Sequence, residues 1–98
     1  MEKTSYRIKE NSWLAKLAAK KLGTRNMAFV LGNTIFLHNS TAKDFLENTA
    51  WFKHELCHVR QFRQHGFFPF IVKYLWESFR KGYYQNKYEI EARNAESL

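Results

Sequence analysis

Ninety-eight residues are enough for one domain whose core needs neither disulfides nor a structural metal. A composition that is 45% hydrophobic and 17% aromatic excludes a disordered segment, and a single cysteine, Cys57, excludes an internal disulfide. The formal charge of +7 would suit nucleic acid or an anionic surface, but no nucleic-acid motif accompanies it, so it reads first as a solvated basic face.

The N-terminus lacks the apolar core of a signal peptide, and no run reaches the roughly 18 apolar residues of a membrane span. With the free thiol, this predicts a cytoplasmic protein. Residues 10 to 22 read as a helix, capped by Asn11 or Ser12 and ended by Gly23, with a core-like stripe of Trp13 or Leu14, Leu17, Ala18 and Leu22. Residues 27 to 31 and 34 to 38 read as the strands of a hairpin around Gly32-Asn33. Asn39-Ser40-Thr41 is a turn and cap cluster, and His38 has no tie to any site. A helix follows from near Ala42 to about His65, with a break expected near Asn48. Residues 68 to 81 form another helix, with Pro69 in its first turn. Its stripe of Phe68, Val72, Leu75, Trp76 and Phe79 predicts a core face, with a lipid-facing surface as the alternative. Residues 87 to 97 form the last helix.

The chemistry concentrates at His54-Glu-Leu-Cys-His58. Residues i and i+4 of a helix share a face, so both imidazoles can reach one zinc ion, and Glu55 can reach a water on it. Phe52, Leu56 and Val59 fall on a different face from His54, His58 and Gln61. Cys57 reads as a buried, inert thiol rather than a sulfur ligand.

Catalytic zinc takes a third protein ligand, with His65, Glu77, Glu89 and Glu91 as downstream candidates. His65 lies seven residues past His58, about 10 Å along an unbroken helix. Gln61 and Gln64 stand where a Gly and a third His would complete H-E-x-x-H-x-x-G-x-x-H. Glu77 suits a role orienting a histidine, or a pair with Arg80 or Lys81. The last helix carries alanines that allow close approach and is the better source. A helical wheel brings Glu91 nearer the Tyr88/Ala92/Ala95 stripe.

His54-Glu-Leu-Cys-His-Val-Arg-Gln61, Gly66, Tyr74-Leu-Trp-Glu77, Gly82-Tyr83 and Tyr88-Glu-Ile-Glu-Ala92 together resemble small bacterial zincin-like domains, described as metallopeptidases. More distantly, the layout is similar to gluzincin-like zincins whose third ligand is a Glu on a later helix, among them prenyl-protein-processing and repressor-cleaving proteases. There the ligand opens E-x-x-A-[D/N]. The resemblance implies Glu89 as ligand, with Ala92 matching at +3, while Arg93 stands where those relatives have Asp or Asn. It also implies that residues 34 to 38 are a sheet edge that holds an extended substrate.

The expected molecule is therefore a single α+β domain spanning 1–98, mostly helical, with a small hairpin beside the H-E-x-x-H helix. The expected function is zinc-dependent peptide hydrolysis, with metal ligands His54, His58 and Glu89 (or Glu91) and Glu55 as base. Tyr83, Tyr84 and Tyr88 are candidate oxyanion donors. A non-catalytic zinc-binding module is the alternative. The expected partner is a peptide or protein substrate, with peripheral contact to an anionic surface as a further option and no specific nucleic acid.

Overall fold

A computed structural model describes residues 4–98. In chain order the elements are β1 (Arg7–Lys9), α1 (Trp13–Leu22), β2 (Met27–Leu31), β3 (Thr34–His38), α2 (Ala42–Glu47), α3 (Thr49–His65), α4 (Phe67–Lys81) and α5 (Lys87–Ala95). The class is α+β, as expected: helices around a small mixed sheet.

The hairpin forms with Leu31 opposite Thr34 and Phe29 opposite Phe36. Gly32 takes φ 65°, the positive value a two-residue turn needs and glycine reaches without strain. The third strand, β1, carries no sequence signal beyond three residues. It pairs in parallel with β3, Ile8 opposite Ile35, so the sheet order is β1-β3-β2. Residues 34 to 38 are therefore the central strand, which corrects the expectation of an edge there. Both sides of β3 already carry ladder hydrogen bonds, and the free edges belong to β1 and β2.

Ser12 caps α1, its Oγ accepting from the Ala15 N–H at 3.2 Å, while its own N–H donates to Leu37 O at 2.9 Å and ties the helix start to the sheet. The buried residues of α1 are Ala15 and Ala19. The expected stripe is overturned: Trp13, Leu14, Leu17 and Leu22 are exposed, and Ala18 is half-buried. Two alanines let the helix backbone lie close to β2 and β3, and that close approach turns the larger side chains outward.

The break expected near Asn48 is present. Asn48 ends α2 and caps α3, its Oδ1 accepting from the Trp51 N–H at 3.2 Å. Gly66, at φ 90°, separates α3 from α4. The α4 stripe is also overturned. Phe68, Val72, Leu75, Trp76 and Phe79 face outward, and Phe70 and Glu77 are the buried residues of the helix. Phe70 sits edge-on to Phe62 and Tyr88, with ring centroids 4.7 Å and 5.0 Å away.

The core joins Val30, Ile35 and Leu37 of the sheet to Phe45 of α2, Val59 and Phe62 of α3, Phe70 and Tyr88. Each fully buried ring or branched side chain there contributes about 1.5–3 kcal/mol of transfer free energy. Cys57, Ala92 and Ala95 form a second, smaller cluster where α3 meets α5. Among the described residues no helix is long and apolar enough to cross a membrane.

Candidate metal centre

The α3–α5 contact places the chemistry. The helix periodicity of α3 puts His54 and His58 one above the other, their ring centroids 5.2 Å apart. Across from them, Glu89 in the first turn of α5 is only 3% exposed. Its Oε1 lies 3.1 Å from His54 Nε2, and its Oε2 lies 3.1 Å from His58 Nε2. Ligand atoms of His54, His58 and Glu89 all fall within 4.8 Å of one another, a group that can hold a metal ion.

α5 is brought there by α4. Buried Asn86 caps α5 through Oδ1, 2.8 Å from the Tyr88 N–H, and its Nδ2 donates to Tyr74 O at 3.1 Å and Ser78 Oγ at 2.8 Å. Glu77 Oε2 accepts from the Lys87 N–H at 3.0 Å, and its other oxygen pairs with Lys81 at 3.7 Å. Glu77 thus pairs with lysine as one of its expected roles had it. It orients the last helix rather than a histidine. These bonds fix where Glu89 emerges, and Tyr74 completes the hold by donating its hydroxyl to Glu89 Oε2 at 2.5 Å.

The outer nitrogens of both imidazoles are also engaged. Gln61 Nε2 donates to Tyr88 O at 3.1 Å and to Glu91 Oε1 at 2.6 Å, so its Oε1 faces His58 Nδ1, 2.8 Å away. That oxygen can only accept, so His58 carries its proton on Nδ1 and turns Nε2 inward. Glu96 Oε2 does the same for His54 Nδ1 at 2.8 Å. Such partners set the tautomer and ring angle of metal-binding histidines.

The electrostatics follow from crowding acids and imidazoles together. Burial alone would raise the Glu89 pKa, but hydrogen bonds from His54, His58 and Tyr74 hold it well below the usual carboxylate range. Burial alone would lower His54, but Glu89 and Glu96 carry it up to about 9. His58 is raised for the same reason, by Glu89. Glu55, 7% exposed, is pushed up to about 7 by burial, with His58 and His54 pulling the other way. Burial pushes the Cys57 thiol up to about 11, consistent with the inert role expected of it.

The remaining candidates lie elsewhere. Glu91 is exposed and bonds Gln61, so Glu89 and not Glu91 stands beside the two imidazoles. His65 lies with its ring near Phe70 and Tyr88, and Lys73 Nζ sits 3.3 Å from its Nδ1. Of the three tyrosines weighed for the oxyanion, Tyr88 is in the core, and Tyr84 lies under Arg93, whose guanidinium also donates to the Tyr84 carbonyl at 2.5 Å. The Tyr83 hydroxyl feels Glu89 and is raised by burial and by that charge. Tyr74 and Glu96 were missed. Glu96 stands seven residues after Glu89, two turns along the same face, a spacing the sequence did offer.

The model of the eCIS core domain matches residues 5–66, more than half of the chain. The chain belongs to the eCIS core domain family. It is by this name, not that of a peptidase, that the match describes it. No curated protein and no solved structure matches the chain. The eCIS core match runs from just before β1 to the end of α3, so it contains His54, Glu55, His58 and Gln61. Tyr74, Glu89 and Glu96 lie beyond it and complete the centre from α4 and α5.

Proposed function

We propose that this eCIS core chain is a zinc-dependent hydrolase of peptide bonds. The observation that carries the reading is the convergence of His54 Nε2, His58 Nε2 and the Glu89 carboxylate within 4.8 Å, with both Nδ1 atoms tied to acceptors. Two imidazole nitrogens and one carboxylate oxygen are the donor set of catalytic zinc with a fourth position left for water, so these residues fit the ion.

Zinc bound there would supply Lewis acidity, acidifying a water and polarising a peptide carbonyl. The protein's own groups do the rest. Glu55 takes the proton released as the water oxygen attacks the carbonyl carbon. It then delivers that proton to the amide nitrogen as the C–N bond breaks. A buried carboxyl that feels both imidazoles is placed for both transfers. Tyr74 holds Glu89 in place through its hydroxyl, and Tyr83, whose hydroxyl also hydrogen-bonds Glu89, is the candidate donor to a developing oxyanion. Arg93, which departs from the Asp or Asn of the distant relatives, does not brace the site; Glu96 braces His54 instead.

A second reading, a zinc-binding module without turnover, draws on the family name, which describes a core domain of an extracellular contractile injection system. Glu55→Gln separates the two. If the chain is a peptidase, the zinc-loaded variant keeps one equivalent of metal and loses about 10²–10⁴-fold in cleavage of an unfolded protein substrate. Equal rates for the variant and the parent, both zinc-loaded, would leave the binding module.

A further inference from the structure

The geometry points to α4 as a docking face for an anionic lipid surface. Phe68, Val72, Leu75, Trp76 and Phe79 are each between 58% and 84% exposed. At 100° per residue they form one stripe along a four-turn helix. The helix is not loose: its opposite side is anchored by Phe70 in the core, by Glu77 on the Lys87 N–H, and by Tyr74, whose backbone carbonyl accepts from Asn86. The stripe therefore stands out from the body as a convex ridge.

Its charges choose the partner. Lys73 and Arg80, seven residues apart, border the stripe on one side, and Lys81 lies near its end. Glu77 is the one acid in α4, and it is buried and engaged by Lys81 and the α5 N-terminus. The exposed charge of the helix is thus entirely basic, within a chain of net charge +7. A Trp and Phe ridge bordered by Lys and Arg is the pattern of a helix lying in a lipid interface, its rings entering the acyl boundary and its cations meeting headgroups. An antiparallel second copy fits poorly, because face-to-face packing would oppose Lys73 and Arg80 to their own counterparts. α1 also exposes Trp13, Leu14 and Leu17 along one side, but that patch covers little more than one turn, with Leu22 on the opposite side, whereas the α4 ridge runs from Phe68 to Phe79. The α4 ridge faces away from the Tyr74 hydroxyl, so the inference does not rest on the metal reading.

The test is sedimentation of the full chain with vesicles of phosphatidylcholine plus phosphatidylserine, against phosphatidylcholine alone. Binding is expected to the mixed vesicles only, with a blue shift of tryptophan emission that Trp76→Ser removes. Phe79→Ser should weaken binding about tenfold, and Lys73→Glu with Arg80→Glu by at least about tenfold together. All of these positions are exposed, and unchanged melting of each variant checks that the fold is intact. Three results would overturn the proposal: no binding to the mixed vesicles, binding indifferent to Phe79→Ser, or a wild-type dimer that Phe79→Ser converts to monomer. Tight binding of an acidic polypeptide with no vesicle binding would overturn it in favour of a protein partner.

Discussion

Gln61 Oε1 lies 2.8 Å from His58 Nδ1, and the two donors of the same amide are bound to Tyr88 O and Glu91 Oε1. One buried side chain on α3 thereby sets the tautomer of a histidine one turn away and pins α5 against it. Gln61→Leu keeps the volume and removes every polar contact. It leaves the His58 Nδ1–H unpaired in a buried site, at a cost of about 1–3 kcal/mol. Zinc affinity should fall about 10–100-fold as the ring loses its orienting bond. Thermal melts of the metal-free protein and a chelator competition measure the two effects. A variant as stable as wild type with undiminished affinity would show that Gln61 only fills space.

The last helix and its C-cap carry three carboxylates with three separate roles. Glu89→Gln should abolish zinc binding, a loss greater than about 100-fold, because a ligand and its charge go together. Glu91→Gln should leave affinity nearly intact, since this exposed side chain bonds Gln61 and not the centre. Glu96→Ala should weaken zinc about 10–100-fold through His54, with partial rescue by Glu96→Gln, which retains an acceptor for Nδ1. Isothermal titration of the three variants gives the ranking. Equal small losses at 89 and 91 would count against the assignment.

Much of this was legible in the sequence, and the failures share a cause. His54, Glu55 and His58 are fixed by one helical period, which local sequence carries in full. The Asn48 break, the Gly32 turn and the Ser12 cap are equally local. Glu89 against Glu91 was not, because a wheel shows directions on one helix and not the angle at which that helix meets another. The angle is set by Asn86 and Glu77 in α4 and the loop after it. The stripes of α1 and α4 misled for a related reason. Periodicity locates the most apolar face, whereas packing chose the face that fits. In α1 that was two alanines against a thin sheet. In α4 it was Phe70, Tyr74 and Glu77, whose polar atoms find partners on α5. β1 is three residues long, too short for a pattern, and its parallel pairing depends on β3 arriving beside it.

The metal-free protein should lose stability as pH rises through neutrality. His54 is raised to about 9 from 6.5, burial opposing and Glu89 and Glu96 prevailing, so its contribution is complete below pH 6.5 and lost as pH rises through about 9. Glu55, raised by burial to about 7 from 4.5, loses its contribution between those values. Glu89 is lowered, so its contribution is present above pH 4.5 and disappears only on further acidification. Urea melts of chelator-treated protein should therefore give greatest stability near about pH 5, declining toward pH 9. Zinc affinity must run the other way. The ion displaces a proton from each raised imidazole, His54 and His58, so affinity should rise by about tenfold to a hundredfold per pH unit until both are deprotonated. Metal-free stability that climbs between pH 5 and 9 would contradict the proton placement.

Ala92 is fully buried where α5 lies on Cys57 of α3, and its missing bulk is what lets Glu89 reach both imidazoles. Ala92→Leu adds three carbons to a contact with no room for them. Overpacking of this kind costs about 1–3 kcal/mol and is relieved by moving the helices apart. A shift of even about 1 Å would take Glu89 out of joint reach of His54 and His58, now each 3.1 Å from its oxygens. Zinc affinity should then fall by at least about tenfold although no ligand has been altered. Ala92→Ser, nearly the same size, should bind as wild type does. Chelator competition on the two variants distinguishes a spacer from a bystander. Tight zinc binding by Ala92→Leu would mean that α5 reaches the centre without needing this close approach.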